Sequence, residues 1–310
     1  MMTETDPEYP TPKKQGGLIR KVFRFLLAII LIICLLLAVL TLRVNSQRDA
    51  VKKIRDAGGS VGYEIEIDDD FLMRQPSDVK KQPLGWLVDY VGVDFVSGIV
   101  SISLPDGELE DLSSIARFTK LKRLTVGENK IKDISIVKNF KDLRRLTIRG
   151  NPVSDLTPLK GLNLQRLDIH ATAVEDLSPI RDATTLDRLN ISKTKVTDLA
   201  ALKNLANITN LNIGFCSVEN FQPIEKLSKL TTLNVEETKI TDLTPITSMT
   251  NLQTLDIEGT QLTDVMALKR LKSLRSLILG DSKVSQESVK ALQAELPELK
   301  VGTKKFVYSR

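Results

Sequence analysis

The sequence predicts an α/β solenoid: a parallel sheet of short stacked strands, preceded by one helix able to cross a membrane. Three observations carry this. A block of about 22 residues recurs through the last two thirds of the chain, a period that belongs to stacked repeats. Eighteen consecutive residues near the N-terminus carry no charge. The composition is 42% hydrophobic and 27% charged, which suits a folded chain. Only 5% is aromatic, so the core has to be built largely from Leu, Ile and Val.

The repeat fixes the fold. Segments begin at Ile99, Leu121, Leu143, Leu164, Leu186, Ile208, Leu230, Leu252 and Leu274, evenly spaced except that the step from Leu143 to Leu164 is shorter by one. Apolar residues recur at repeat positions 1, 4 and 6, at 11, and at 14, 17 and 20. In one unit these are Leu230, Leu233, Val235, Ile240, Leu243, Ile246 and Met249. Repetition at this period marks a solenoid. Positions 3 to 7 alternate polar and apolar, as a short strand with one face inward does.

Position 9 carries Asn129, Asn151, Thr172, Thr194, Cys216, Thr238 and Thr260. A small polar side chain there bonds turn backbone groups that burial would leave unpaired. Cys216 occupies that slot, so a structural role is favoured over a redox one. Position 13 is Asp133, Asp155, Asp176, Asp198, Asp242 and Asp264, with Asn220 in the remaining repeat. An Asp or Asn just before Leu-Thr-Pro or Leu-Ser-Pro accepts an N–H of a short helical turn. Pro158, Pro179, Pro223 and Pro245 set φ in that turn. These carboxylates are expected to be caps rather than paired catalytic acids. One unit cannot bury its own apolar face, so neighbours stack. At about 4.8 Å per strand, nine units make a parallel sheet of roughly 40 Å.

The pattern in LTTLNVEETKITDLTPITSM, Leu230 to Met249, resembles the bacterial internalin-type leucine-rich repeat. The resemblance covers residues 99 to about 301. It implies a leucine-rich-repeat solenoid, a right-handed horseshoe with its parallel sheet on the concave face, and that such a face binds partner proteins. The layout of basic tail, span and QRDAVKKIRDAGGSVGYEIE (Gln47 to Glu66) is similar to anchored repeat proteins of planctomycete-type bacteria.

Phe25 to Leu42 is the uncharged segment. As a helix it spans roughly 27 Å at about 1.5 Å per residue, close to a bilayer core. Arg24 and Arg43 bracket it and can snorkel. A cleaved signal peptide fits less well, because the apolar run is long, the stretch before it is extended and no A-x-A site follows. Residues 25–42 therefore read as one N-terminal transmembrane helix, with Cys34 a small apolar filler, and residues 1–24 as a basic tail. Five basic residues precede the span and five follow it (Lys13, Lys14, Arg20, Lys21, Arg24; Arg43, Arg48, Lys52, Lys53, Arg55). Arg20, Lys21 and Arg24 lie close to the membrane, and long domains translocate with little regard to charge. The tail reads as cytoplasmic and the repeat domain as periplasmic or extracellular. The tie in charge keeps a cytoplasm-facing scaffold, or regulatory subunit of an enzyme, as the alternative.

Both ends of a solenoid need covering. Residues 47–98 are expected to form the N-terminal cap: a helix at Ala50 to Ala57 ending at Gly58-Gly59, a strand at Val61 to Ile67, and a second helix at Pro83 to Val91 with Trp86 and Tyr90. At the other end Val289, Leu292 and Leu296 fall at helical spacing, a closing helix before a last strand and a tail at 302–310.

Strand positions 3, 5, 7 and 8 are expected to face the open side of the sheet. Position 3 gives Arg123, Arg145, Arg166 and Arg188 in four consecutive repeats, with Arg149 close by. Glu236, Glu237, Asp256 and Glu258 make the other half acidic, and His170 and Phe215 fall between. Like charges in register repel, and a bipolar face suits a complementary partner. The partner expected is a protein or an anionic envelope polymer. The bland alternative is a solvated surface neutralised by Asp168, Asp187 and water.

Catalysis finds little support. No phosphate loop, serine elbow, zinc helix or C-x-x-C is present, and His170 is the only histidine. Cys34 and Cys216 give neither a disulfide framework nor metal-ligand spacing. No cofactor is implied, and a net charge of +5 alone does not argue for nucleic acid. Asn190-Ile-Ser and Asn207-Ile-Thr match the glycosylation sequon but fall at strand positions, and short matches of this kind arise by chance.

Overall fold

The computed structural model describes residues 16–63 and 98–302. The helix expected at Pro83 to Val91, with Trp86 and Tyr90, lies outside them, as do most of the basic tail and the strand beyond Tyr63. The chain divides into two compact units, Met1–Asp49 and Ala50–Arg310.

Helix α1 is Gly16–Asp56. From Leu18 to Asp56 it contains neither Pro nor Gly, so nothing in Arg43–Asp49 separates the apolar run from the helix expected at Ala50. The two expected helices are therefore one. The large apolar side chains within Phe23 to Leu42 are exposed. By length and composition the helix suits a membrane span, and equally a signal sequence.

In the second unit, Ala50, Val51 and Ile54 of α1 are buried in the core of the repeats. The helix ends at two glycines. Gly58 takes φ +80°, and a Cβ on Gly59 would lie 2.8 Å from the Ser103 carbonyl oxygen. The Gly58 N–H donates to Arg55 O and the Gly59 N–H to Ile54 O, both at 2.8 Å, which satisfies the last carbonyls. Strand β1 (Ser60–Tyr63) then runs antiparallel to β2 (Ile99–Leu104) and covers that edge of the sheet.

The remaining strands follow in sequence order, all parallel: β3 Arg123–Val126, β4 Arg145–Thr147, β5 Arg166–Asp168, β6 Arg188–Asn190, β7 Asn210–Asn212, β8 Thr232–Asn234, β9 Thr254–Asp256, β10 Ser276–Ile278 and β11 Lys300–Gly302. The core lies where the period placed it. Leu230, Leu233, Val235, Ile240, Leu243, Ile246 and Met249 are each at most 4% exposed.

Strands β4 to β10 are three residues long, shorter than the alternation implies. Two devices end them. The position 5 side chain accepts the N–H of position 7, as Asn190 does from Ser192 at 3.1 Å and Asn212 from Gly214 at 3.0 Å. Position 8 then takes the left-handed conformation, and not only where it is glycine: Ala171 (φ +54°), Lys193 (φ +54°), Phe215 (φ +61°) and Glu237 (φ +51°). Such a residue costs on the order of 1–3 kcal/mol. Each is held because its N–H donates to the position 7 carbonyl of the following repeat, at 2.8–2.9 Å.

The position 9 residues bond buried backbone as expected. Oγ1 of Thr172, Thr194, Thr238 and Thr260 donates to the carbonyl three residues earlier, at 2.6–2.8 Å. Asn151 Nδ2 reaches Gly127 O at 2.7 Å, and Cys216 Sγ donates to Ile191 O at 3.1 Å. Cys216 is 1% exposed, and burial raises its thiol pKa, consistent with a packing role. Position 13 also behaves as a cap, one residue earlier than a helix N-cap proper. Asp155 Oδ1 accepts the Thr157 N–H at 2.8 Å and opens the 3₁₀ turn Thr157–Leu159, and Asp242 does the same for Thr244–Ile246.

Helix α2 (Gln286–Glu295) closes the far end. Ser285 Oγ caps it by accepting the Ser288 N–H at 3.1 Å, and Leu292, Leu296 and Leu299 are buried against the last repeats.

Candidate functional site: the open face of the sheet

Strand pairing puts Arg123, Arg145, Arg166 and Arg188 in one row across β3 to β6. Neighbouring strands lie about 4.8 Å apart. Arg188 is exposed and the other three are half-buried. Burial lowers the pKa of Arg123 and Arg166, and the next cause in each is repulsion: from Arg166 on Arg123, and from Arg145 and Arg188 on Arg166. Asp187 offsets part of this, its Oδ1 lying 3.9 Å from Arg166 Nε. Beyond β6 the row turns neutral, with Asn210 and Thr232 facing each other in register.

One step along the strands, position 5 forms a second row, Asp168, Asn190, Asn212, Asn234 and Asp256, in register over β5 to β9. Each Oδ1 accepts the position 7 N–H of its own repeat, at 2.8–3.1 Å. That bond fixes the side chain. Asn234 donates to Glu236 Oε2 at 3.2 Å and Asp256 Oδ2 at 3.4 Å. Asp168, Asn190, Asn212 and Asn234 of this row line two open hollows. One, about 400 Å³, lies on the Arg166 and Arg188 side; the other, about 380 Å³, holds Arg149, His170, Lys193, Gly214 and Phe215.

The expected site residues fall as follows. Arg149 and Glu237 are exposed, and Glu258 is half-buried. His170 Nδ1 lies 2.7 Å from Ser192 Oγ, and that hydroxyl donates to Asn190 Oδ1 at 2.6 Å. With the hydroxyl proton committed to Asn190, Nδ1 carries the proton and donates. The lone histidine is thereby tied into the polar rows. Phe215 is 43% exposed, the only large exposed hydrophobic among the described residues outside α1. Its ring lies 5.0 Å from Lys193 Nζ, a cation–π contact.

Two expected face residues are not displayed. Glu236 is 5% exposed and Asp256 3%, because each is drawn into hydrogen bonds with the Asn234 side chain. Position alone misses the asparagine row, Ser192 and the Gly214 notch. Their signal is present in the alignment, where position 5 carries Asp or Asn in five successive repeats.

Burial raises the pKa of the Asp168 carboxyl, while the His170 backbone N–H, the His170 ring and Arg149 act to lower it. This region holds cations, carboxamides and one strained aromatic in an open groove.

These features define a leucine-rich-repeat protein. A family described as Leucine Rich repeats (2 copies) matches residues 119–161. The repeats are similar to those of internalins. The fold is similar to an internalin (inlF) from Listeria monocytogenes, with 29% identity over 69% of this chain and 62% of that one, TM-score 0.62. The chain thus spans less than two thirds of that protein's length. A second similar structure is an internalin C2 (inlC2) from the same species, with 24% identity over 76% of this chain and 92% of that one, TM-score 0.57. A third is the plant peptide hormone receptor RGFR1 in complex with RGF2, with 19% identity over 66% of this chain and 38% of that one, TM-score 0.51. Among curated proteins no match is found.

Proposed function

We propose that this chain is a membrane-anchored binding protein that holds a partner protein against the concave face of its repeats. One observation carries the reading: four guanidiniums stand in register on an open sheet, with a single carboxylate, Asp187, offsetting their repulsion on Arg166. A row of like charges in register is unfavourable alone and becomes favourable when a complementary surface docks. The plant receptor of the same fold, solved with its peptide hormone, supports a binding role by likeness.

Anchoring rests on α1, with residues 25–42 in the bilayer, the N-terminus cytoplasmic and the repeats outside. Protease treatment of intact cells tests the orientation. Digestion of the repeat domain before inner-membrane lysis is expected, and protection until lysis would reverse it. The equal basic counts flanking the apolar segment sustain the second reading, a cytoplasm-facing scaffold, which that reversal would select. Cross-linking in native membranes tests the partner. The wild-type chain is expected to trap a protein that Arg145→Glu/Arg166→Glu does not, and equal trapping by both would remove this face from the function.

A further inference from the structure

We infer that the open face takes one extended polypeptide segment lying across the strands, acidic at one end, apolar at its centre and basic at the other. This rests on the concave-face reading above and names what the face would recognise.

The order of chemistry across the sheet is the argument. Strands β3 to β6 carry the arginine row. The β7 repeat carries Gly214 and, beside it, the exposed ring of Phe215. The β8 and β9 repeats add the exposed Glu237 and the half-buried Glu258. Cation, aromatic and anion thus follow one another along one direction, and complementary charges fix which way a ligand lies. Phe215 sits at φ +61°, where a bulky residue is strained. Its backbone N–H is bonded to Glu236 O at 2.8 Å, so the repeat architecture holds the ring displayed at the rim of the hollow.

The floor argues for a polypeptide. Oδ1 of Asn190 and of Asn212 is engaged with backbone N–H groups, and both carboxamides line the two hollows. Carboxamides can donate to the carbonyls of an extended chain. A Cβ at Gly214 would come within 3.0 Å of Asn234 Oδ1, so the notch there depends on glycine. The length is set too. From β3 to β9 is six strand steps, roughly 29 Å at about 4.8 Å each, or about nine residues at about 3.3 Å per extended residue.

The test uses the full chain in detergent and blocked, fluorescent nine-residue peptides, read by anisotropy at low salt. A peptide of four Glu, one Phe and four Lys in that order is expected to bind. Alternating the same Glu and Lys around the central Phe is expected to weaken binding about tenfold. Replacing the central Phe by Gly, or Phe215 by Ala in the protein, is expected to cost a similar factor. Asn190→Asp/Asn212→Asp, which keeps the Oδ1 acceptors and removes the donors, should weaken the peptide, with a modest fall in the thermal melt from placing two more carboxylates beside Asp168. Equal binding of ordered and alternating peptides overturns the inference. So does tighter binding of an all-Glu peptide or of polyglucuronate, which would make the face a polyanion site, and so does no binding of any peptide at millimolar concentration. None of these outcomes touches the proposed partner protein, whose own test is loss of cross-linking in Arg145→Glu/Arg166→Glu.

Discussion

The two halves of the open face carry opposite charges, and they hold them in opposite ways. Across β3 to β6 the guanidiniums are half-buried or exposed, and burial, then repulsion from the neighbouring arginines, lowers the pKa of Arg123 and Arg166. Across β8 and β9 the carboxylates of Glu236 and Asp256 are buried and bonded to the amide of Asn234. A half-exposed charge set among like charges can be reached by a ligand. A charge tied into buried hydrogen bonds supports the fold. The arginine row should therefore fail in binding when altered, and the buried acids Glu236 and Asp256 in stability.

The largest effect expected from this contrast is on binding. Arg145→Glu/Arg166→Glu should reduce capture of the partner by about tenfold or more, while the melting temperature stays level or rises, since repulsion is relieved. A large fall in melting temperature would mean that the arginines are structural, and the two halves alike. Next comes Asp256→Ala. It removes the acceptor of the Glu258 N–H at 3.1 Å, a part-buried bond, and of Asn234 Nδ2 at 3.4 Å, a buried one. Unpairing groups of this kind costs about 1–3 kcal/mol, or roughly 2–4 °C per kcal/mol for a domain near this size. An unchanged denaturant midpoint would show that Asp256 is held by solvent after all.

Phe215→Gly sharpens the boundary between the halves. Glycine adopts φ +61° without the strain of a side chain, so stability should hold or rise by up to about 1 kcal/mol. Binding should fall, because the ring is the exposed apolar group at the centre of the face. Loss of stability instead would mark the ring as packing rather than display.

How much of this was legible in sequence follows from which forces are periodic. The apolar positions, the Asp caps and the position 9 bonds return in repeat after repeat, and each unit confirms the next. Leu230 to Met249 alone shows the buried set. The arginine row was legible for the same reason, since equal spacing becomes register once strands stack. What escaped were features that depend on side-chain aim. Position 5 ends each strand through its own side chain, which shortens the strands and makes the asparagine row. Glu236 and Asp256 hold the same nominal outward positions as Arg149 and Asp168, yet a neighbouring Asn234 draws them inward. The continuity of α1 was missed because the polar stretch Arg43–Asp49 reads as a junction, though it contains no helix breaker.

The smallest expected effect separates burial from charge at the border of the two halves. Asp168 opens the position 5 row, and its Oδ1 accepts the His170 N–H at 3.0 Å, as Asn190, Asn212 and Asn234 do for Ser192, Gly214 and Glu236. Asn in its place keeps that bond. Burial raises the Asp168 pKa in the folded chain, above the roughly 3.9 of an unfolded Asp. The native state therefore binds this proton more tightly than the unfolded one. Ionised Asp168 costs stability above its folded pKa, and the cost disappears as pH falls through that value. The exposed caps Asp176 and Asp242 behave oppositely: hydroxyl and backbone hydrogen bonds lower their pKa, so their contribution is present above about 3.9 and is lost as they protonate in the fold. Asp168→Asn should accordingly melt slightly higher than wild type at neutral pH and converge with it on acidification. Below that point both should lose stability together as the caps titrate. A lower melting temperature for Asp168→Asn at neutral pH would mean that attraction from Arg149 and His170 outweighs burial. The carboxylate would then belong with the hydrogen-bonded acids of β8 and β9, and the boundary between the two halves would move to β5.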